Sequence, residues 1–250
     1  MPSFRSDIAD ISYEVTGEGA PVLLIHGFAS NARVNWWDTG WVKTLNDAGY
    51  QAITFDNRGH GLSTKLYDEA AYPAPVMAED ARRLLDHLGI PQTLVMGYSM
   101  GARIAAFLTI THPGRVRAAV FAGLAENMIK GFGGSEPIAL ALEAASVDDV
   151  GDPGARVFRL FAEQTGSDLK ALAACMRSER QKISPAELQD INVPVLVVAG
   201  EADDIAGAVQ PLVDAIPGAQ GVVLPRRNHM NAVGDRQHKE AVIRFFSSIA

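Results

Sequence analysis

The sequence predicts an α/β fold: a mostly parallel central sheet covered by helices on both faces, interrupted once by a helical lid insertion. Three observations carry that expectation. Short runs that are apolar throughout, among them Pro21 to Ile25, Thr93 to Met96 and Val193 to Ala199, alternate with stretches of helical periodicity. Strands of that kind are buried on both sides, which a parallel sheet between two helical layers provides. Gly97-Tyr98-Ser99-Met100-Gly101 stands where one such run stops and a helical pattern begins. Finally, roughly seventy residues after Gly123 hold no convincing strand, far above a normal connection length.

Taken in order, Ile8 to Val15 and Pro21 to Ile25 read as strands separated by the turn Thr16-Gly17-Glu18-Gly19. Trp41 to Ala48 is a short helix closed by Gly49, and Tyr50 to Phe55 is a strand ending in Asp56-Asn57-Arg58-Gly59-His60-Gly61-Leu62-Ser63. Val76, Met77, Ala81, Leu84, Leu85 and Leu88 repeat at helical spacing and stop at Gly89. The helix after Ser99 runs to His112-Pro113, and Arg117 to Ala122 is another buried strand. Within the insertion, Ala139 to Ala145, the cluster Val157, Phe158, Leu160 and Phe161, and the set Leu169, Leu172, Ala173 and Met176 mark three helices. Ser184-Pro185-Ala186-Glu187 is a capping box with proline at the first helical position. Gly131-Phe132-Gly133-Gly134 reads as a flexible entry to the insertion and not as a phosphate cradle, because no strand directly precedes it. Val193 to Ala199 and Gly221 to Leu224 are late strands, and Arg236 to Ile249 is a closing helix. The expected division is a core of residues 1–125 and 193–250 with a helical lid at 126–192.

Composition narrows the function classes. A chain of 250 residues that is 48% hydrophobic can bury a sizeable core, which excludes a disordered reading. Its formal charge of −7 comes with no basic run, which argues against nucleic acid or an anionic membrane as partner. Cys175, the single cysteine, permits neither an internal disulfide nor a cysteine metal cluster. Neither a P-loop nor G-x-G-x-x-G nor H-E-x-x-H occurs, so neither cofactor nor metal is expected. With no stretch of signal-peptide or transmembrane type, a soluble cytoplasmic protein is the expectation.

Strand, G-x-S-x-G, helix is the context of a nucleophile elbow. There the serine sits on a strained turn, side chains two positions before and after would strike neighbouring backbone, and the helix N–H groups can hold developing negative charge. A glycine-bounded turn whose serine only caps the helix is the plainer alternative. A serine hydroxyl needs a base, and the base needs an orienting acid. The strand at Val193 to Ala199 ends in Gly200-Glu201-Ala202-Asp203-Asp204, and that at Gly221 to Leu224 in Pro225-Arg226-Arg227-Asn228-His229. Both candidate partners therefore lie at C-terminal strand ends, on the rim that carries Ser99.

With His26-Gly27-Phe28, the Asp56 to Ser63 motif, the elbow, Gly200-x-x-Asp203 and His229 in this order, the chain resembles a lid-bearing α/β-hydrolase over nearly its whole length. The resemblance implies Ser99 as nucleophile, His229 as base and Asp203 as orienting acid, with the backbone N–H groups of Phe28 and Met100 as oxyanion hole. Spacing from Gly200 favours Asp203 over Asp204, and Glu126 is a minor alternative acid. The resemblance makes His26 and His60 structural braces. His87 and His112 read as surface or capping residues, His238 as solvated, and the scattered Lys and Arg as solvated faces. Ala102 stands where many relatives have a second glycine, and Asn228 where glycine is common before the histidine. The expected activity is cofactor-independent hydrolysis of an ester with a short to medium acyl group. Hydrolysis of a carbon–carbon bond or peracid chemistry is the alternative within enzymes, and a hydrolase-fold receptor the alternative outside them. A serine at the elbow argues against the dehalogenases and epoxide hydrolases of the same superfamily, which use a carboxylate there.

Overall fold

The computed structural model describes residues 1–131, 133–179 and 181–249. Eight strands form one sheet among them: β1 (Ser3–Ser6), β2 (Ala9–Thr16), β3 (Ala20–Ile25), β4 (Tyr50–Phe55), β5 (Thr93–Tyr98), β6 (Val116–Ala122), β7 (Val195–Gly200) and β8 (Gln220–Leu224). Their order is β1-β2-β4-β3-β5-β6-β7-β8. Only β2 runs against its neighbours, pairing antiparallel with β1 and β4, and every later pairing is parallel. The sheet is thus mostly parallel, as the sequence predicts. β1 is the strand the sequence does not announce, since SFRS is too short and polar to carry a pattern.

Period-two alternation sorts the strand side chains into two cores. Leu23, Ile25, Val95, Phe121 and Val197 face one layer, with α2 (Ala74–His87) and α3 (Met100–Thr111). Val22, Leu24, Met96, Val120 and Val198 face the other, with α1 (Trp41–Asp47) and α11 (Arg236–Ser247). Both sides of each central strand are therefore dry, which is why these runs are apolar without interruption.

Between β6 and β7 the described residues form helices and turns: α4 (Glu126–Lys130), α5 (Ser135–Glu143), α6 (Pro153–Gln164), α7 (Leu169–Arg177) and α8 (Pro185–Gln189). The capping box at Ser184 forms, with Glu187 reaching back to the Ser184 N–H at 2.8 Å. Phe132, in the glycine-rich entry, lies outside the described residues. α9 (Val209–Ala215) and the single turn α10 (His229–Ala232) complete the core and carry too few residues for periodicity to reveal them.

Two expectations about polar residues are corrected. Three arginines are buried working parts and not solvated faces. Arg58 pairs through two contacts of 2.7 Å with Asp80 of α2, both side chains 1% exposed. Arg159 closes the C-terminal end of α5 by donating to the carbonyls of Ala141, Leu142 and Ala144. Arg103 on α3 donates to the carbonyls of Asn127, Met128 and Gln181, which ties the inserted helices to the elbow helix. His238 is likewise buried, 1% exposed, between Trp41 and Tyr98, because the helical face it shares with Val242 and Phe245 packs on the sheet. His112 contacts Glu79 while His87 stacks on Phe4, so both remain near the surface as expected.

Burial pushes His238 down from an ordinary value near 6.5 to about 4. The unfolded chain therefore takes the proton first, so this contribution is complete above about pH 6.5 and is lost as pH falls toward 4, on the order of 3 kcal/mol in full. His238→Asn keeps a donor for the Ala232 carbonyl but no titration. Its urea unfolding free energy should fall less steeply than that of the wild type between pH 6.5 and 4, and an unchanged slope would overturn the assignment.

Candidate active site

Every candidate residue lies at the C-terminal edge of the sheet, because parallel strands deliver the ends of β3, β5, β7 and β8 to one rim. At the end of β5 the chain turns into α3 through Ser99, which adopts φ +56° and ψ −116°. That left-handed backbone is costly for a non-glycine residue, and the glycines around it show what holds it. A Cβ on Gly97 would lie 2.1 Å from the Gly101 carbonyl oxygen, and one on Gly101 would lie 1.9 Å from that of Ile25. The strand and helix approach too closely for any side chain at either position. The Ser99 N–H donates to Ala122 at 2.8 Å, fixing the turn to β6 as well.

His229 opens α10. Asn228, where glycine was expected by resemblance, caps that turn: its Oδ1 accepts from the N–H groups of Met230 and Asn231, both at 3.1 Å, and Asn231 reciprocates at 2.8 Å. The cap aims the imidazole back over the sheet. His229 Nε2 lies 3.0 Å from Ser99 Oγ, and Nδ1 lies 2.9 Å from both carboxylate oxygens of Asp203. Asp203 is 4% exposed and also accepts the Ala206 N–H at 2.9 Å. Asp204 faces solvent, and Glu126 is engaged by Lys130 on its own helix, so neither reaches the imidazole. The structure brings Ser99, His229 and Asp203 together and leaves the two alternative acids aside.

Phe28 and Met100 both border the space beside Ser99. Met100 is the first residue of α3, so its N–H precedes the helical hydrogen-bond ladder. The Phe28 loop is braced from beneath. His26 Nδ1 meets the Gly27 carbonyl at 2.8 Å, and its Nε2 accepts the Asn57 N–H at 2.9 Å. His60, in ring contact with His26 and Phe28, donates to the Arg58 carbonyl. Burial lowers His26 to about 4 and, with His26 beside it, His60 to about 3, so both stay neutral at neutral pH. Asp56 holds the same loops by accepting from Ala32 at 2.8 Å and Leu62 at 2.7 Å.

Two contributors carry no signal in sequence. Tyr98, an unspecified position of the elbow motif, donates its hydroxyl to the His229 carbonyl and packs beside the imidazole, with ring centroids 5.4 Å apart. Asn35 accepts the Gly27 N–H at 3.1 Å from a five-residue π-type turn, Arg33–Trp37. The cavity over Ser99, about 260 Å³, is mostly apolar and includes Val157, Phe158 and Phe161 of α6. Of the apolar insertion residues singled out in the sequence, Phe158 and Phe161 reach this cavity and Met176 a smaller one beside Ser99, whereas Leu169 faces a separate outer cleft. The described residues gather no group of His, Cys, Asp and Glu able to hold a metal ion, and no helix among them is long and apolar enough to cross a membrane.

Comparison with known proteins agrees with this architecture. Residues 20–145 match the family model described as alpha/beta hydrolase fold. The chain is 36% identical over 115 residues to the non-heme chloroperoxidase CPO-A1 of Kitasatospora aureofaciens, a match spanning 46% of this chain and 40% of that protein. It is 26% identical to the pimeloyl-[acyl-carrier protein] methyl ester esterase of Aeromonas hydrophila, across 94% of this chain and 98% of the relative. A crystal structure of a hydrolase from Pseudomonas aeruginosa PA01 superposes with a TM-score of 0.82 at 23% identity, covering 98% of this chain and 97% of that one. The chain belongs to the alpha/beta hydrolase fold family.

Proposed function

We propose that the protein is a serine hydrolase of small-molecule esters, with Ser99 as nucleophile, His229 as base and Asp203 as orienting acid. The observation that carries this reading is the imidazole held between hydroxyl and carboxylate, 3.0 Å from one and 2.9 Å from the other. Asp203 accepts at Nδ1, which leaves Nε2 unprotonated toward Ser99. As Oγ attacks the carbonyl carbon, Nε2 takes its proton and the carbonyl π-electrons pass to oxygen, facing the N–H groups of Phe28 and Met100. His229 returns the proton to the departing alkoxide, giving an alcohol and the acyl-serine. It then deprotonates water, whose attack releases the acid and restores Ser99. Residues 126–192 serve as a lid whose α6 supplies the apolar wall above the serine. Mostly apolar walls on both sides of Ser99 support an uncharged substrate with a short to medium acyl group, and likeness to a methyl ester esterase supports an ester as substrate.

Ser99→Ala should remain folded and lose on the order of 10⁴-fold or more in turnover. Asp203→Asn should cost about 10⁴-fold and Asp204→Asn little, because only the former sets the histidine tautomer. Reversed losses would move the acid to Asp204, and wild-type rates from folded Ser99→Ala would end the mechanism.

Substrate class is tested with p-nitrophenyl esters of increasing acyl length beside dienoic carbon–carbon substrates and acetic acid with hydrogen peroxide, Ser99→Ala being the blank. A rise and then a fall in kcat/KM along the esters is expected. Ser99-dependent turnover confined to the dienoic acids or to peracid formation would reassign the reaction, and no turnover on any of them would favour a receptor.

A further inference from the structure

Two cavities flank Ser99. The larger, about 260 Å³, is bordered by His229, Asn35, Thr39 and Val233, and the smaller, about 40 Å³, by Met100, Leu124 and Met176. Phe28 and Phe158 border both, whereas His229 borders the larger alone. In acyl transfer the leaving oxygen takes its proton from the histidine, so the leaving group must lie within reach of Nε2. That places the leaving group on the larger side. The smaller side has room for about three heavy atoms, enough for a short acyl chain.

Asn35, which borders the larger cavity, carries one unanswered polar group. Asn35 is 5% exposed, and three of its four hydrogen-bonding groups are met: its N–H by Asn31 at 2.9 Å, its carbonyl by the Thr39 hydroxyl at 2.6 Å, and its Oδ1 by Gly27 at 3.1 Å. Its Nδ2 is buried and has no acceptor among the described residues. The indole N–H groups of Trp36 and Trp37 lack acceptors too, but neither residue borders this cavity. A buried amide donor left open is costly, and such groups in native proteins call for an explanation. The turn that carries Asn35 is of π type, a distortion concentrated at functional sites.

We propose that the larger cavity is the leaving-group subsite of the ester reaction and that, as the Arg33–Trp37 turn yields on binding, Asn35 Nδ2 comes within reach of an acceptor oxygen carried by that group and donates to it. The substrate class is then short-chain acyl esters of oxygenated alcohols (hydroxy, alkoxy or keto alcohols) in preference to plain alkanols. The assignment rests on the ester-hydrolase reading and adds to it the identity of the alcohol.

The test is a set of matched acetate esters in which one methylene of the alcohol is replaced by an ether oxygen, as in 2-methoxyethyl against butyl acetate, with the oxygen stepped along longer chains. For the best-placed oxygen the wild type should favour the ether by about tenfold or more in kcat/KM. In Asn35→Leu that ratio should collapse toward one, alongside a general loss of kcat from the freed Gly27 N–H. Asn35→Asp keeps an acceptor for Gly27 and offers no amide donor, so its ratio should collapse toward one as well. Equal kcat/KM for every pair in the wild type, with Ser99-dependent hydrolysis intact, would overturn the subsite and leave the ester reading standing. Absence of Ser99-dependent hydrolysis throughout would overturn both. A wild-type preference that peaks at one oxygen position, where an inductive effect would only fade with distance from the ester, keeps the test decisive even where a variant fails to fold.

Discussion

The carbonyl of Ile25 lies so near the α-carbon of Gly101 that a single added carbon would sit 1.9 Å from its oxygen. Much of the site depends on that contact. It brings the end of β3 against the first turn of α3, which sets the loop after His26 beside the helix N-terminus and leaves Ser99 between them. The φ of +56° at Ser99 is strain, tolerable because the turn is fixed on three sides, by β3, by the helix and by the hydrogen bond to Ala122. A looser junction would let the serine relax into an ordinary helix cap and withdraw its hydroxyl.

Around this contact the fold divides its polar interior into two kinds of work. Arg58 with Asp80, Asp56 with two backbone N–H groups, and the neutral pair His26 and His60 hold loops. None of these side chains borders the cavity over Ser99. The pair His229 and Asp203 differs in being mounted on separate strand ends, so that its geometry reports the register of β7 against β8. Leu224 lies opposite Gly200 in that register, and Glu201 and Ala202 donate to carbonyls of Leu224 and Arg227. A slip of one residue there would separate Asp203 from His229 while leaving the hydrophobic count unchanged.

How much of this was legible in the sequence follows from the range of each interaction. β4 and the triad candidates could be read because apolar runs, glycines and strand-end residues signal locally, and Tyr50 to Phe55 matches its strand end to end. β1 could not, because its four residues are held by pairing with β2 and by Ser6 on Asp80 of α2, both distant in sequence. Arg103 and His238 read as solvated because helical periodicity assigns a face but cannot say that a second layer covers it. Arg103 is covered by an insertion that returns at Gln181, some eighty residues later along the chain, and such closure leaves no local mark. Tyr98 and Asn35 fell to the same limit, since the carbonyl or N–H each one meets belongs to another loop.

The division between legible and illegible residues also separates chemistry from specificity. The proposed reacting groups stand on strand ends and a helix start, where a rigid scaffold fixes them, and their motifs are short and recurrent. The walls of the two cavities come instead from α6, α7, the turn at Arg33–Trp37 and the loop after β7, elements whose positions depend on long-range packing. Ile205 shows the coupling: it borders both cavities two residues beyond Asp203, so a change in that loop that reshapes the cavities also shifts Asp203. Val157 is freer to change, because it borders the larger cavity from α6, whereas its neighbour Phe158 also packs on Phe28 with ring centroids 6.1 Å apart. Within this fold, the inserted helix is therefore the part in which substrate preference can vary while the proposed triad stays fixed.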